Sequence, residues 1–147
     1  MATRAQIEVT LIARCGKILT ACGLDGVTVD GTNASLADPL GWALRSLDVA
    51  PATYGTVTSA EVAAVAADEI DKLLDLAELK ALENALGNFD AVDISVGARS
   101  ESYDQIRTGL ERTLDRKQKA VERRYSIGLG TIEGGVIALD FAQKGDE

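Results

Sequence analysis

The fold of this chain is decided by residues 58–86, which read TSAEVAAVAADEIDKLLDLAELKALENAL. Thr58 and Glu61 have the spacing of a capping box, in which the threonine is the N-cap and the glutamate three residues later bonds back to its backbone. Apolar side chains then recur every three or four residues, which is the periodicity of a helix. The stretch predicts one long helix that ends at Gly87–Asn88 and is kinked or broken near Asp75, where the pattern drifts.

Residues 3–22 predict a first helix. Thr3 is its expected N-cap and Gly23 its terminating glycine, because glycine tolerates the left-handed conformation that commonly follows a helix. Residues 23–37 are rich in Gly, Asp, Thr and Asn, so they predict a loop with a short strand at Val27–Val29. The apolar stripe of the helix consists of Ile7, Leu11, Cys15, Ile18 and Cys22.

A shorter helix is predicted from Pro39 to Leu47. Asp38 precedes it as the N-cap, and proline suits the first helical position because no N–H is needed there. Trp42 lies off the apolar stripe and has two interpretations: it covers the edge of the core, or it anchors an interface with another molecule. The stripe itself consists of Leu40, Ala43, Leu44 and Leu47.

A strand and a long helix are predicted next. Residues 88–100 alternate apolar and polar side chains, which is strand periodicity. Ser100 then caps a helix that runs from Glu101 to about Tyr125. The apolar side chains of the strand are Val92, Ile94 and Val96. The apolar stripe of the helix consists of Tyr103, Ile106, Leu110, Leu114, Val121 and Tyr125.

Residues 126–147 have a different character. Gly134–Gly135 separates two β-prone runs, which predicts a two-residue hairpin turn. The segment either folds back on the helices or reaches a neighbouring molecule by strand addition. We therefore predict a mainly α body over residues 1–125, a small helical bundle with a long C-terminal helix, followed by a short β-hairpin or extended arm. The arm residues expected to bind a partner are Ile132, Val136, Ile137, Leu139 and Phe141.

The sequence offers no catalytic motif. The chain has no histidine, so the commonest general base and the usual zinc ligand are missing. Cys15 and Cys22 lie about 10.5 Å apart along a helix, too far for a disulfide, and both are expected as small core residues. Gly128 and Gly130 lack the remaining residues of a phosphate-binding loop. We expect a protein that is not an enzyme, needs no cofactor or metal, and has neither a leader peptide nor a membrane span.

The charges are distributed unevenly along the chain. The net charge is −8, which argues against a dedicated nucleic-acid-binding protein. Residues 58–93 are strongly acidic, whereas residues 107–124 are strongly basic. Two interpretations remain open: the two helices complement each other within one subunit, or their charged faces meet in neighbouring subunits. The cations expected to contact another subunit or line a channel are Arg112, Arg116, Lys117, Lys119, Arg123 and Arg124.

Residues 92–106, which read VDISVGARSESYDQI, lead directly into the long basic helix. This stretch, with the order of helices before it, resembles small head–tail connector proteins of tailed bacteriophages, also called adaptor or head-completion proteins. The resemblance implies a virion structural protein, made in the host cytoplasm, that forms a ring, usually a dodecamer, at the head–tail interface. Such a ring docks on the portal protein, extends the DNA channel without sequence-specific binding, and provides the attachment surface for a tail or stopper protein. The C-terminal arm then binds the portal or a neighbouring subunit.

Two other classes of protein share this composition. A non-enzymatic cytosolic accessory or regulatory protein, acting as a small helical oligomer, has the same lack of chemistry. A nucleic-acid-binding module would use the basic stretch 112–124, but against an overall repulsive charge and without aromatic side chains for stacking. The size of the assembly in solution distinguishes a large ring from a small oligomer.

Overall fold

The computed structural model describes residues 2–49, 56–96 and 100–126, and the side chains of these except 90–96 and 100–104. The predicted mainly helical fold is confirmed, and the described residues contain no β-strand. The predicted hairpin or arm lies outside the described residues. The helices are α1 (Arg4–Ala21), α2 (Ala37–Ser46), α3 (Ser59–Ala63), α4 (Ile70–Val96) and α5 (Ser100–Tyr125), with 3-10 turns at Ala34–Leu36 and Ala67–Glu69.

Both ends of α1 form as the sequence predicts. Thr3 is the N-cap, and its hydroxyl accepts a hydrogen bond from the Gln6 backbone while the Gln6 side chain accepts one from the Thr3 backbone at 2.9 Å. At the other end Gly23 adopts a φ of 85°. The Leu24 N–H then donates to the Leu19 carbonyl at 2.8 Å, which together with Gly23 gives a Schellman motif.

The start of α2 differs from the prediction. The 3-10 turn Ala34–Leu36 runs directly into the helix, so α2 begins at Ala37, and Asp38 is a first-turn residue instead of the N-cap. Asn33 caps the preceding turn, since its side-chain oxygen accepts the Ser35 N–H at 2.9 Å. The strand predicted at Val27–Val29 is wrong because both of these valines are exposed and have no partner strand within the described chain.

The single helix predicted from Thr58 to Leu86 is broken, but between Ala64 and Glu69 instead of near Asp75. The predicted capping box of Thr58 and Glu61 is present and opens the short α3. Ala66 is then extended, with ψ 146°, and the chain re-enters α4 through a 3-10 turn. Both Val62 and Val65 are buried by this arrangement.

Helix α4 continues through Gly87 and Asn88, so the predicted helix end there and the strand over residues 92–96 are both wrong. Three alternating apolar residues are a short signal, and an isolated strand has no partner to complete its hydrogen bonds. Gly87 is exposed and leaves the helix undisturbed, while the Asn88 side chain donates to the Cys22 carbonyl at the end of α1. Asn88, which was predicted to end the helix, thus links α4 to α1 through this hydrogen bond.

Helix α4 is the centre of the fold and contacts α1, α2 and α5. Most of its buried side chains are leucine and alanine, so neighbouring helices approach closely. Cys15 and Cys22 are free and buried in this core, as predicted. Trp42 packs on the edge of the core, which agrees with the first of its two interpretations. The most completely buried large side chains include Leu11, Leu19, Leu36, Leu40, Leu44, Leu73, Leu76 and Leu79.

Candidate functional site

The long helices α4 and α5 pair in antiparallel fashion. Asp75 on α4 meets Arg124 on α5, and Glu78, one turn further along α4, meets Lys117 two turns earlier on α5. Because the connection between the helices spans only residues 97–99, they form a helical hairpin. Helix α5 packs mainly on α4, so one side of it is fixed and the opposite side faces away from the body.

Charged side chains on the fixed side of α5 form a cluster with α4 and α1. The Lys117 Nζ lies 2.7 Å from the Glu78 Oε2, and the Arg124 Nη1 lies 2.9 Å from the Asp75 Oδ2. The Arg14 Nη1 approaches Asp75 from α1 at 2.9 Å. Three cations thus neutralise two carboxylates that are largely withdrawn from water.

Two titratable groups beside this cluster are held in their protonated forms. Burial, reinforced by the hydrogen bond that its hydroxyl donates to Asp75, raises the pKa of Tyr125 to about 12. Burial, reinforced by the charge of Glu78, raises the pKa of the Cys15 thiol to about 12. A thiol reacts as the thiolate, so Cys15 is chemically inert at neutral pH.

The cluster borders a cavity of about 150 Å³ lined by both helices. Pockets that bind small molecules usually have volumes of about 300–1,000 Å³. Asp75, Glu78, Lys117 and Arg124 line this cavity, and all four already pair with one another. The charged cluster therefore holds α4 and α5 together and is not a ligand site.

The opposite side of α5 carries a second set of cations, which we call the outward stripe: Arg112, Arg116, Lys119 and Arg123. Successive helical residues are about 100° apart, so these four positions fall within a sector of about 60° and extend over about 16 Å. All four side chains are exposed. Leu114 and Val121, which are buried against the body, lie on the far side of the helix.

The outward stripe is poorly neutralised by its own subunit. Lys119 pairs only with Asp115 on the same helix, at 3.1 Å, and both side chains are about two-thirds exposed, at 67% and 64%. Such exposed pairs stabilise a protein by about 0–1 kcal/mol. Arg112, Arg116 and Arg123 form no ion pair with the residues that the structure describes. Three cations without an ion pair, and Lys119 in a weak exposed pair, are thus available to a partner.

The structure divides the six predicted contact cations into two groups. Lys117 and Arg124 are engaged within the subunit, whereas Arg112, Arg116, Lys119 and Arg123 face outward. The sequence interpretation in which the acidic and basic helices complement each other therefore describes the first group. The predicted arm residues Ile132, Val136, Ile137, Leu139 and Phe141 lie outside the described residues.

A buried polar network at the N-terminal end of α1 was not predicted from the sequence. The Arg4 Nε lies 2.9 Å from the Glu8 Oε2, and the Arg4 guanidinium also donates to the carbonyls of Asn33 and Val57. Glu8 in turn accepts the backbone N–H groups of Gly31 and Asn33. The spacing of Arg4 and Glu8 was visible but resembled an ordinary surface pair. The network fixes the loop after α1 and the segment before α3 to one helix.

Asn33 belongs to the same network. Asn33-Ala34-Ser35 matches the sequence pattern of an N-glycosylation site. Its side-chain nitrogen, the atom that a glycan would modify, donates to the carbonyls of Asp25 and Thr28, and the residue is buried. Asn33 is therefore a structural residue of the loop.

Metal and membrane sites are missing from the part of the chain that the structure describes. Its Cys, Asp and Glu side chains do not come together in a group that could hold a metal ion. None of its helices is both long and apolar enough to cross a membrane. Comparison of the chain with family models, curated proteins and solved structures gives no match.

Proposed function

We propose that this protein is a non-enzymatic structural subunit that assembles into a ring, as a head–tail connector of a tailed bacteriophage. The observation that carries the proposal is the outward stripe, an exposed row of four cations on a chain whose net charge is −8. A protein that is acidic overall and basic along one helix is complementary to copies of itself. A contact between two different surfaces of the same chain closes into a ring when the rotation between subunits allows.

The acidic counterpart is available on the described surface. Asp68 in the 3-10 turn before α4 and Asp71 in the first turn of α4 are exposed, with the Asp71 side chain 71% accessible. Arg123 lies at the same end of the helical hairpin as Asp71, because neighbouring Arg124 approaches that carboxylate at 3.8 Å. Subunits arranged side by side around an axis parallel to the hairpin can thus bring the stripe of one to the acidic end of the next.

The remaining partners of this proposal come from the resemblance of residues 92–106 to connector proteins. A ring of this kind docks on a portal protein, receives a tail or stopper protein, and lets DNA pass through its channel. Virion localisation follows from that role. The segment 126–147 serves as the arm that holds the portal or a neighbouring subunit, because its apolar residues need a covering surface.

The test is charge reversal of the outward stripe alone. At low ionic strength the triple variant Arg112→Glu/Arg116→Glu/Arg123→Glu should lose the ring, because the reversed stripe repels the acidic end of the next subunit. It should keep its helical content and melting temperature, since none of these side chains is buried. Mass photometry at low ionic strength, with and without a candidate portal protein, measures the assembly. Lys117 is left unchanged because its reversal would break the pair with Glu78 inside the subunit.

Single reversals supply a matched control. Arg116→Glu removes a cation from the outward stripe, whereas Lys17→Glu removes a cation from α1 that is also exposed. The first should weaken assembly more than the second. Unaltered rings from the triple variant would rule out the stripe as the subunit contact. A wild-type protein that stays a small dimer, even with a portal, would favour the cytosolic accessory protein instead.

A further inference from the structure

An apolar groove lies at the end of the molecule where α4 begins. It has a volume of about 660 Å³ and lies between the N-terminus, α3 and the start of α4. We call it the α3–α4 groove. Its lining residues are Ala2, Ala63, Val65, Ala67, Ile70 and Asp71.

The lining of the α3–α4 groove indicates the chemistry of its occupant. Three of the residues are alanines, which leave room, and Val65 and Ile70 provide branched apolar walls. Asp71 at the rim is the one charged residue, and it already faces Arg124. A surface of this kind binds branched apolar or aromatic side chains rather than a polar small molecule.

The C-terminal arm leaves the body beside this groove. Arg124, in the last turn of α5, lies 3.8 Å from the Asp71 carboxylate at the rim. Ser126 then adopts a left-handed φ of 54°, which ends the helix and turns the chain. The groove and the beginning of the arm therefore lie at the same end of the helical hairpin.

We infer that the α3–α4 groove binds the apolar segment 136–141 of the arm of a second copy of this chain. The inference deepens the proposed function, since it rests on subunits that assemble side by side. In a ring whose axis is parallel to the hairpin, the arm of one subunit and the groove of the next are at the same level. The arm then has to extend only toward the neighbouring subunit and not along the ring axis. Its apolar side chains are Val136, Ile137, Leu139 and Phe141.

Residues 127–135, which we call the lead, connect α5 to the apolar segment of the arm. Their length favours binding to the groove of a neighbouring subunit over binding to the subunit's own groove. Nine residues, 127–135, lie between Ser126 and Val136, and the ten steps from one to the other can span up to about 33 Å. A domain of this size has a radius of gyration of about 15 Å, so the lead matches the width of one subunit. The subunit's own groove lies at the end of the hairpin where the arm begins, and reaching it would need no such lead. The glycines Gly128, Gly130, Gly134 and Gly135 let the lead follow the surface between subunits.

The experiment mixes two full-length variants, each defective in one half of the contact. Ala67→Glu places a carboxylate in the groove at an exposed position that opens a 3-10 turn, where an acidic residue is tolerated. Val136→Asp/Ile137→Asp places charge in the arm. Measurements are made at about 1 M salt, where a screening length of about 3 Å suppresses contacts of the outward stripe.

Each variant alone should be monomeric, whereas an equimolar mixture should give a species of twice the subunit mass and nothing larger. The intact arm of the Ala67→Glu variant can bind the intact groove of the Val136→Asp/Ile137→Asp variant. The remaining groove and the remaining arm of that pair are both defective, so no third subunit can be added. Ala60→Glu, on α3 outside the groove, is the control and should assemble like the wild type. Because high salt suppresses contacts of the outward stripe, this experiment tests the arm and the groove alone. The charge-reversal experiment tests the stripe, so either experiment can fail without the other.

Two outcomes would overturn the inference. If the mixture stays monomeric while the wild type assembles, the arm binds elsewhere. If the wild type is itself monomeric at high salt and its arm resists protease only while Ala67 is intact, the groove holds the arm of its own subunit.

Discussion

Lys117 and Glu78 fasten α5 to α4 through an ion pair in which the Nζ lies 2.7 Å from the Oε2. The Glu78 side chain is only 8% exposed, and cations approach it from two directions. Lys117 supplies one from α5, and Arg14 supplies the other from α1 at 3.5 Å. One carboxylate on the central helix therefore ties together three helices, and it sets which face of α5 remains outside.

Replacing Lys117 by methionine should destabilise the subunit. The apolar stem is retained, but Glu78 loses its closer partner, and hydrogen bonds to charged groups stabilise by about 1–3 kcal/mol. The free energy of unfolding, measured by urea denaturation, should fall by that amount. Arg116→Met is the matched control, with an expected change within about 0.5 kcal/mol because Arg116 is exposed. Equal effects of the two changes would contradict the division into inward and outward cations.

The apolar stripe of α5 should show a graded response to truncation. Leu114 is 7% exposed, whereas Ile106 is 50% exposed and Leu110 is intermediate. Leu114→Ala should lower the free energy of unfolding by about 2–4 kcal/mol, and Ile106→Ala by less than about 1 kcal/mol. Leu110→Ala should fall between them.

Two glycines should respond oppositely to the same substitution. A Cβ on Gly26 would overlap the Gly16 carbonyl oxygen on α1, so Gly26→Ala should destabilise by about 1–3 kcal/mol. A Cβ on Gly109 meets no atom within 4 Å. Gly109→Ala should therefore stabilise α5 by about 0.5–1 kcal/mol. Thermal unfolding followed by circular dichroism measures both, and a stabilised Gly26→Ala variant would disprove the close approach of the two backbones.

Tyr125 should make stability fall in strongly alkaline solution. Its folded pKa is raised to about 12 from an ordinary value of 10.0. Below pH 10 the phenol is protonated in both states; between pH 10 and 12 the unfolded phenol ionises first, so this contribution to stability is lost. Phenolate absorbance should show one tyrosine that titrates late, and Tyr125→Phe should abolish that phase. Retention of the late phase in this variant would assign it to another tyrosine.

Local signals predicted the fold most accurately. Thr3 and Gly23 at the ends of α1, and Thr58 with Glu61 at the start of α3, form their caps from neighbouring residues alone. The break at Ala66 depends instead on burying Val62 and Val65 against helices far away in sequence. An alanine-rich run carries no local mark of such a break.

The strand predicted over residues 92–96 is wrong because the alternation of apolar and polar side chains there is not matched by a partner strand, and these residues belong to α4. Asn88 is likewise a residue type that often ends a helix, yet here its side chain donates a hydrogen bond to the Cys22 carbonyl at the end of α1. In each case a tertiary contact, or the lack of one, decided between two locally acceptable conformations.

The candidate site could be predicted in part. The sequence identified the basic helix and its six cations, and helical geometry alone places Arg112, Arg116, Lys119 and Arg123 on one stripe. It did not decide which side of α5 meets the body, because Ile106 extends the apparent apolar stripe yet is half exposed. Glu78 and Asp75, which settle the orientation, resemble surface acids in the sequence.

The dependence of α5 on α4 has a consequence for native-state hydrogen exchange. A helix that docks mainly on one neighbour can separate in a sub-global opening, at a lower free energy than complete unfolding. The amides of α1 and α2, enclosed around α4, would then exchange only through global unfolding, whereas those of α5 would exchange together and earlier. We therefore expect the subunit to open in two cooperative steps, and the part that opens first, α5, carries both the outward stripe and the origin of the arm.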